Sequence, residues 1–387
     1  MNTWFLIGCV SASAYLIIQA IKAVLSLRYA SRHREQELAE GSVTILQPIL
    51  GGDPALEQTL RTNLQNAPAG ACFVWLVDTD DQVGRDVAEG LLQQQHGNRV
   101  QLVLTPPCEE GLNPKLFKLN RAFPHVTTDF IAVLDDDTIL SADHLPRGIA
   151  TLTNCELYTG LPRYHRGSSL WSNLVAHFVN NNSITTYLSL LELTGPLTIN
   201  GMFYLTRTET LRRMGGFESI LGQLCDDYAL ARLVMDHGGR IRQGVTSQVL
   251  QTSIAGPYQY LRQMHRWFLF ANVLVRDQSI GVQALLVIVL GLPPLLLWGS
   301  FLCLTGGWPG AVVLLALLLV RHLMIRLLHR RVFQQRLAFS WILSLIAESL
   351  QPFHLLHACV SPVIVWRSRR IRVGQRGSFS YVSKSHL

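Results

Sequence analysis

Apolar residues gather at the two ends of the chain and leave a middle, residues 41–277, with the mixed pattern of a soluble domain. Residues 4–27 form one apolar stretch of about the length that spans a bilayer core, interrupted only by Gln19 and Lys22 near its end. No basic residue precedes it, whereas Lys22, Arg28, Arg32 and Arg34 lie at or behind its end. A cleaved signal peptide carries its positive charge in front of the apolar run. The stretch therefore predicts an uncleaved anchor with its N-terminus outside and the soluble middle on the cytoplasmic side.

A second apolar block covers residues 280–304 and a third residues 311–328, with Gly306-Gly307-Trp308-Pro309-Gly310 between them as a tight loop. Together they predict a membrane hairpin. Arg321, Arg326, Arg330, Arg331 and Arg336 follow on the returning side, as re-entry into the cytoplasm requires. The last block, residues 337–366, contains Glu348, Pro352, His354, His357 and Pro362. One crossing there would put Arg367, Arg369, Arg370, Arg372 and Arg376 outside, against the charge rule, so a Pro-broken re-entrant or interfacial pair is expected. The alternative is an ordinary crossing with an exceptional tail. The division expected is an anchor with its basic flank (1–40), a cytoplasmic domain (41–277), C-terminal transmembrane and re-entrant segments (278–372) and a cytoplasmic tail (373–387).

Within the middle, residues 43–46, 72–77, 100–104 and 130–134 are short apolar runs suited to buried parallel strands, each separated by a helix-capable segment. That alternation predicts an α/β doubly wound sheet. Asp53-Pro54 reads as a helix start, with Leu56, Leu60 and Leu64 at helical spacing behind it. No G-x-G-x-x-G follows the first strand and no G-x-x-x-x-G-K occurs, which excludes the usual dinucleotide fold and the P-loop.

Composition agrees with the pattern. Charged residues make up 15% of the 387, against roughly 25% in soluble globular proteins. Hydrophobic residues make up 49%, which excludes a disordered chain. Seven scattered cysteines with no C-x-x-C indicate neither a disulfide framework nor a zinc site. The formal charge of +7 comes from basic residues clustered beside apolar spans, where membrane topology accounts for them without a nucleic-acid partner.

Carboxylates close two of the expected strands. One ends in Asp78, followed by Asp80 and Asp81, and another runs into Asp135-Asp136-Asp137. In open α/β sheets, ligands bind outside these strand ends. Asp135 and Asp137 can supply oxygens to Mg²⁺ or Mn²⁺, with substrate phosphates completing the shell; solvated turn residues are the structural alternative. Asp226-Asp227 follows the glycine-bearing Met214-Gly215-Gly216-Phe217 and falls in the first turn of a predicted helix, where a carboxylate can also serve as a cap. Further on, Gln263, Arg266 and Trp267 share one face of an amphipathic run beginning near Gly256. An arginine there suits a diphosphate, and a membrane-interface helix with an aromatic anchor is the alternative.

In order and spacing, Asp78, Asp135-x-Asp137, Asp227 and Gln263-x-x-Arg266-Trp267 resemble the D, D-x-D, D, Q-x-x-R-W set of membrane-bound inverting glycosyltransferases with the GT-A fold. Gly111-Leu112-Asn113-Pro114-Lys115, Gly160-Leu161-Pro162, Asn200-Gly201-Met202, Glu348-Ser349 and Trp366-Arg367 are similar to the ceramide glucosyltransferase family within that class. The resemblance implies a UDP-hexose donor bound near Asp78, Gln263, Arg266 and Trp267, a divalent cation on Asp135 and Asp137, Lys115 as a further charge on the leaving diphosphate, and Asp227 as the base. It also implies a membrane lipid acceptor, ceramide or a hopanoid. Two departures stand out: Asp226 where the family usually has Glu, and an Asn-rich segment with Asn180, Asn181 and Asn182 where the animal enzymes carry a His-containing motif. A processive polysaccharide synthase shares Q-x-x-R-W and is the rival reading, though few crossings are available to line an export channel. A non-catalytic adaptor is the reading from another class.

Overall fold

The computed structural model describes residues 3–35, 37–94, 99–335, 337–366, 369–374 and 377–381. Arg336, Arg367 and Arg376, named above as parts of basic flanks, lie outside the described residues. The chain divides into two compact units, one helical (residues 1–33, 168–195 and 255–361) and one built on sheets (34–167, 196–254 and 362–387).

Among the described residues every strand lies in the second unit: β1 (Val43–Pro48), β2 (Ala71–Asp78), β3 (Val100–Thr105), β4 (Phe130–Leu134), β5 (Thr138–Ile139), β6 (Leu157–Tyr164), β7 (Phe203–Arg207), β8 (Ile241–Leu250), β9 (Val363–Trp366), β10 (Arg369–Val373) and β11 (Phe379–Tyr381). The main sheet has the order β3-β2-β1-β4-β7-β6-β8-β5. Its first four strands are parallel, with Val43 of β1 level with Ala71 on one side and Phe130 on the other. The other half is mixed, because β7 runs antiparallel to both β4 and β6 while β8 runs parallel to β6. The strand order reverses at β1, so a crevice is expected at the carboxyl ends of β1 and β4.

Both faces of the sheet are covered, which is why its central strands read as unbroken apolar runs. Ile45, Phe73, Trp75 and Ala132 pack on one face with Leu56, Leu60 and Leu64 of the helix Leu56–Asn66. Leu46, Leu76, Ile131 and Val133 pack on the other with Leu116 and Leu119 of the helix Pro114–Ala122 and Leu230 of the helix Asp226–Asp236. The first of these helices begins at Leu56, not at Pro54. Asp53 is diverted from capping: its carboxylate accepts from the backbone N–H of Ala55 (2.8 Å) and of Ser253 (3.0 Å).

In the helical unit, Thr3–Arg32, Ile280–Leu304 and Trp308–Val332 are long and apolar enough to cross a membrane, and they fit transmembrane helices. The connection inside the hairpin is shorter than the glycines suggest, since Trp308 and Pro309 already begin the third helix, where proline needs no amide partner. The apolar block 337–366 is broken into two helices, Trp341–Ser349 and Gln351–Val360, and neither is long enough to span. The second starts with Pro352 in its first turn. Its last residues behave differently from the expectation: Ser361-Pro362 ends the helical run, and the β-branched Val363, Ile364 and Val365 join β10 and β11 in a three-stranded antiparallel sheet.

Candidate active site

The carboxyl ends of β2 and β4 are organised by one short helix. Asn113 caps Pro114–Ala122, its side chain accepting from the N–H groups of Lys115 and Leu116 while its amide donates to the carbonyls of Gln223 and Leu224. This fixes the helix against the loop that leads to Asp226. Lys115 and Lys118, three residues apart, then lie on one side of the helix. Lys118 Nζ reaches Asp78 Oδ2 at 3.0 Å and the carbonyl of Ile49 at 3.1 Å. Both partners of this ion pair are almost fully buried, their side chains 1% and 6% exposed. Thr105 donates a hydroxyl to the other carboxylate oxygen of Asp78.

Lys115 Nζ stands among acids, 2.7 Å from Asp135 Oδ1, 2.9 Å from Asp226 Oδ2 and 2.9 Å from the carbonyl of Gly201. Burial pulls its pKa down, but Asp135 and Asp226 more than reverse this and hold it well above the usual lysine value. Lys118 was not singled out by sequence reasoning; the available signal was a second lysine one helical turn behind Lys115 on a helix opened by Asn113-Pro114.

The three consecutive acids after β4 have separate fates. Asp136 accepts from the backbone N–H of Leu50 at 2.7 Å and ties the loop after β1. Asp137 accepts hydroxyl hydrogen bonds from Thr138 (3.2 Å) and Thr252 (2.6 Å), and Asp135 carries the Lys115 pair. Burial pushes the Asp135 carboxyl up to about 6 in spite of Lys115, and Asp137 adds to the push. Among the described residues no three His, Cys, Asp or Glu side chains form a ready metal cage. Asp135 and Asp137 nevertheless offer the hard carboxylate oxygens that Mg²⁺ or Mn²⁺ takes, and such an ion usually draws its other ligands from water and substrate phosphate. Asp80 is exposed, and Asp81 is structural: its carboxylate accepts from the N–H groups of Gly51 and Gly84.

At the start of Asp226–Asp236 the two acids also differ. Cys225 is the cap residue, without a side-chain cap bond. Asp226 is engaged by Lys115, whereas Asp227 makes no ion pair among the described residues and accepts only from the N–H of Tyr228 at 2.8 Å. Burial, then the neighbouring Asp226, raise the Asp227 pKa well above the ordinary carboxylate range. Gly201 makes room for it, since a Cβ on Gly201 would stand 2.9 Å from Asp227 Cβ. Gly201→Ala is therefore expected to displace the Asp227 side chain.

Asp78, Lys115, Asp135, Asp137 and Asp227 all belong to the sheet-bearing unit. Gln263, Arg266 and Trp267 belong to the helical unit, on the helix Pro257–Arg276. There Arg266 Nη2 donates to Gln263 Oε1 at 3.0 Å, and Trp267 stacks on Phe178 with ring centroids 6.1 Å apart.

The mixed α/β sheet with carboxylates at its strand ends is of the GT-A type. The chain matches glycosyl transferase family 21 over residues 4–379 and belongs to that family. It is 19% identical over 383 residues to ceramide glucosyltransferase 1 of Caenorhabditis elegans, covering 96% of this chain and 80% of that one. In fold it is similar to the mannosyltransferase PcManGT from Pyrobaculum calidifontis, solved in complex with GDP-Man and Mn²⁺, with a TM-score of 0.54 and 16% identity over 92% of this chain and 98% of that one.

Proposed function

We propose that this glycosyltransferase moves a hexose from a UDP-sugar to the hydroxyl of a membrane lipid, with inversion at the anomeric carbon and Asp227 as the base. The observation that carries the reading is the division of labour in the Asp226-Asp227 pair. Asp226 is ion-paired with Lys115, while Asp227 keeps a carboxylate of raised pKa without an ionic partner among the described residues. A base of that kind removes the proton as the lipid oxygen attacks; the new bond to the anomeric carbon forms as the bond to the diphosphate breaks, and UDP departs.

Asp135 and Asp137 are the residues that would hold Mg²⁺ or Mn²⁺, which when bound neutralises charge on the donor diphosphate. Lys115 holds Asp135 and Asp226 through its two ion pairs. The lipid acceptor is supported by the spanning helices, because exposing an acyl chain to water costs about 0.8 kcal/mol per CH₂ and the reaction has to be carried to the bilayer.

The test is a membrane assay with labelled UDP-hexoses and GDP-hexoses against ceramide and hopanoid acceptors. Label is expected in lipid from a UDP-sugar, lost on chelation and restored by Mn²⁺ or Mg²⁺. Transfer that survives exhaustive chelation would remove the cation from the account, and a high-molecular-weight polymer as sole product would favour the polysaccharide reading.

A further inference from the structure

The short sheet β9–β11 lies in a stretch of chain with charge of one sign. No Asp or Glu follows Glu348, whereas Arg367, Arg369, Arg370, Arg372, Arg376 and Lys384 do. Successive residues of a strand point to opposite faces, and residues opposite one another across a ladder share a face. The register therefore sorts the sheet into two faces. On the inner one Ile364 stands opposite Ile371, and Val373 opposite Phe379; Ile364, Ile371 and Val373 are buried. On the outer one Arg370 stands opposite Val365, and Arg372 opposite Val363 and Ser380. There both arginines and Ser380 are exposed and the two valines are half-buried.

The protein supplies neither arginine with a counter-charge. Every Asp and Glu of the chain lies among the described residues, and the ion pairs found among those residues do not include Arg370 or Arg372. Among the described residues the outer face also carries no aromatic ring, since Phe379 and Tyr381 take inner-face positions opposite Val373 and Ile371. A single-stranded nucleic acid would have no platform on which to stack. Two cationic heads flanked by short apolar side chains suit the headgroup layer of a bilayer, where guanidinium meets phosphate. Only Ser361 and Pro362 separate β9 from the apolar helix Gln351–Val360, which exposes Phe353, Leu356 and Val360. Within its own unit the sheet is tied to the loops that lead to the acids and to Lys115. Gly377 accepts from the N–H of Leu224 at 3.0 Å, and the Tyr381 hydroxyl donates to the carbonyl of Leu112 at 3.5 Å.

We propose that the face formed by Val363, Val365, Arg370 and Arg372 docks on a bilayer surface that carries anionic phospholipids, and that through Leu224 and Leu112 it brings the loops before Asp226 and Lys115 to that surface. An arginine beside such a surface strengthens binding about fivefold, and the pair about 25-fold. The docking does not depend on which sugar or lipid takes part in transfer, so it stands or falls separately from the reaction.

The experiment uses the full chain in nanodiscs of phosphatidylcholine and phosphatidylglycerol in equal amounts, with Ser380→p-benzoylphenylalanine as a photo-cross-linker on the outer face and mass spectrometry of the adducts. Lipid adducts are expected, with phosphatidylglycerol in excess by about fivefold or more. The excess should vanish at high salt, where screening removes the attraction. Arg370→Gln with Arg372→Gln should bring the two lipids to parity, while Arg370→Lys with Arg372→Lys keeps the excess. Both pairs should unfold at the parent's temperature, because the side chains they change are exposed. No lipid adduct, parity in the parent protein, or an excess untouched by the Gln pair would overturn the proposal. An adduct with a second copy of the chain in place of lipid would overturn it too and assign the face to self-association.

Discussion

Asp227→Asn is expected to lower turnover by roughly 10²- to 10⁴-fold, the usual worth of a positioned base, while nucleotide-sugar binding persists. The change keeps the shape of the side chain and its acceptor for the Tyr228 N–H, so folding is spared. The same residue predicts a pH profile. Because burial and Asp226 raise its pKa, the basic form is lost as pH falls through a value above the ordinary carboxylate figure of about 4. The acid limb of kcat should therefore lie nearer neutrality than an exposed aspartate would put it. Asp226→Asn makes the contrast: it removes one of the two carboxylates paired with Lys115, leaves the Asp135 pair and keeps the base in place. Full activity in Asp227→Asn, or an acid limb near pH 4, would move the proton transfer to another group.

The second large effect is on stability. Lys118→Met should destabilise the sheet-bearing unit by about 3–5 kcal/mol, because it strands the buried Asp78 carboxylate without its cation. Removing both charges, as Lys118→Met with Asp78→Leu, should recover much of that loss, since a well-packed apolar pair often matches a buried ion pair. Thr105 keeps a hydrogen bond to the carbonyl of Val77 in the double variant and is not orphaned. Thermal unfolding of the four proteins in one detergent measures the coupling. Additive losses would mean that Asp78 and Lys118 act independently. Asp78 was expected to meet the donor, and its burial beside Lys118 gives it a structural task in addition.

How far the sequence could be read follows from how each element buries its side chains. The four parallel strands were legible to within two residues: β1, β2 and β4 because both faces are covered, and the part-buried edge strand β3 because Val100, Leu102, Val103 and Leu104 keep it apolar. The strands β6 and β8 were not, because they bury polar residues: Thr159, Gln243 and Gln248 are buried although their sequences look like surface. The terminal strands were hidden inside an apolar block and a basic tail, where composition pointed to lipid and not to a sheet. Leu224, two residues before Asp226, donates its N–H to the carbonyl of Gly377, so this unread sheet braces the loop carrying the acids. The acidic positions were visible from their place at strand ends. What each one holds was not, since Asp81, Asp136 and Asp137 look alike in sequence and differ only in which N–H or hydroxyl folds against them.

The central claim is sugar transfer to a lipid through Asp227, and the most direct test is mass spectrometry of total lipids from a host expressing the intact chain or Asp227→Asn at matched membrane levels. A new hexosyl lipid present only with the intact chain is the predicted result, and its mass gives donor and acceptor together. The same hexosyl lipid in equal amount with Asp227→Asn would contradict the account.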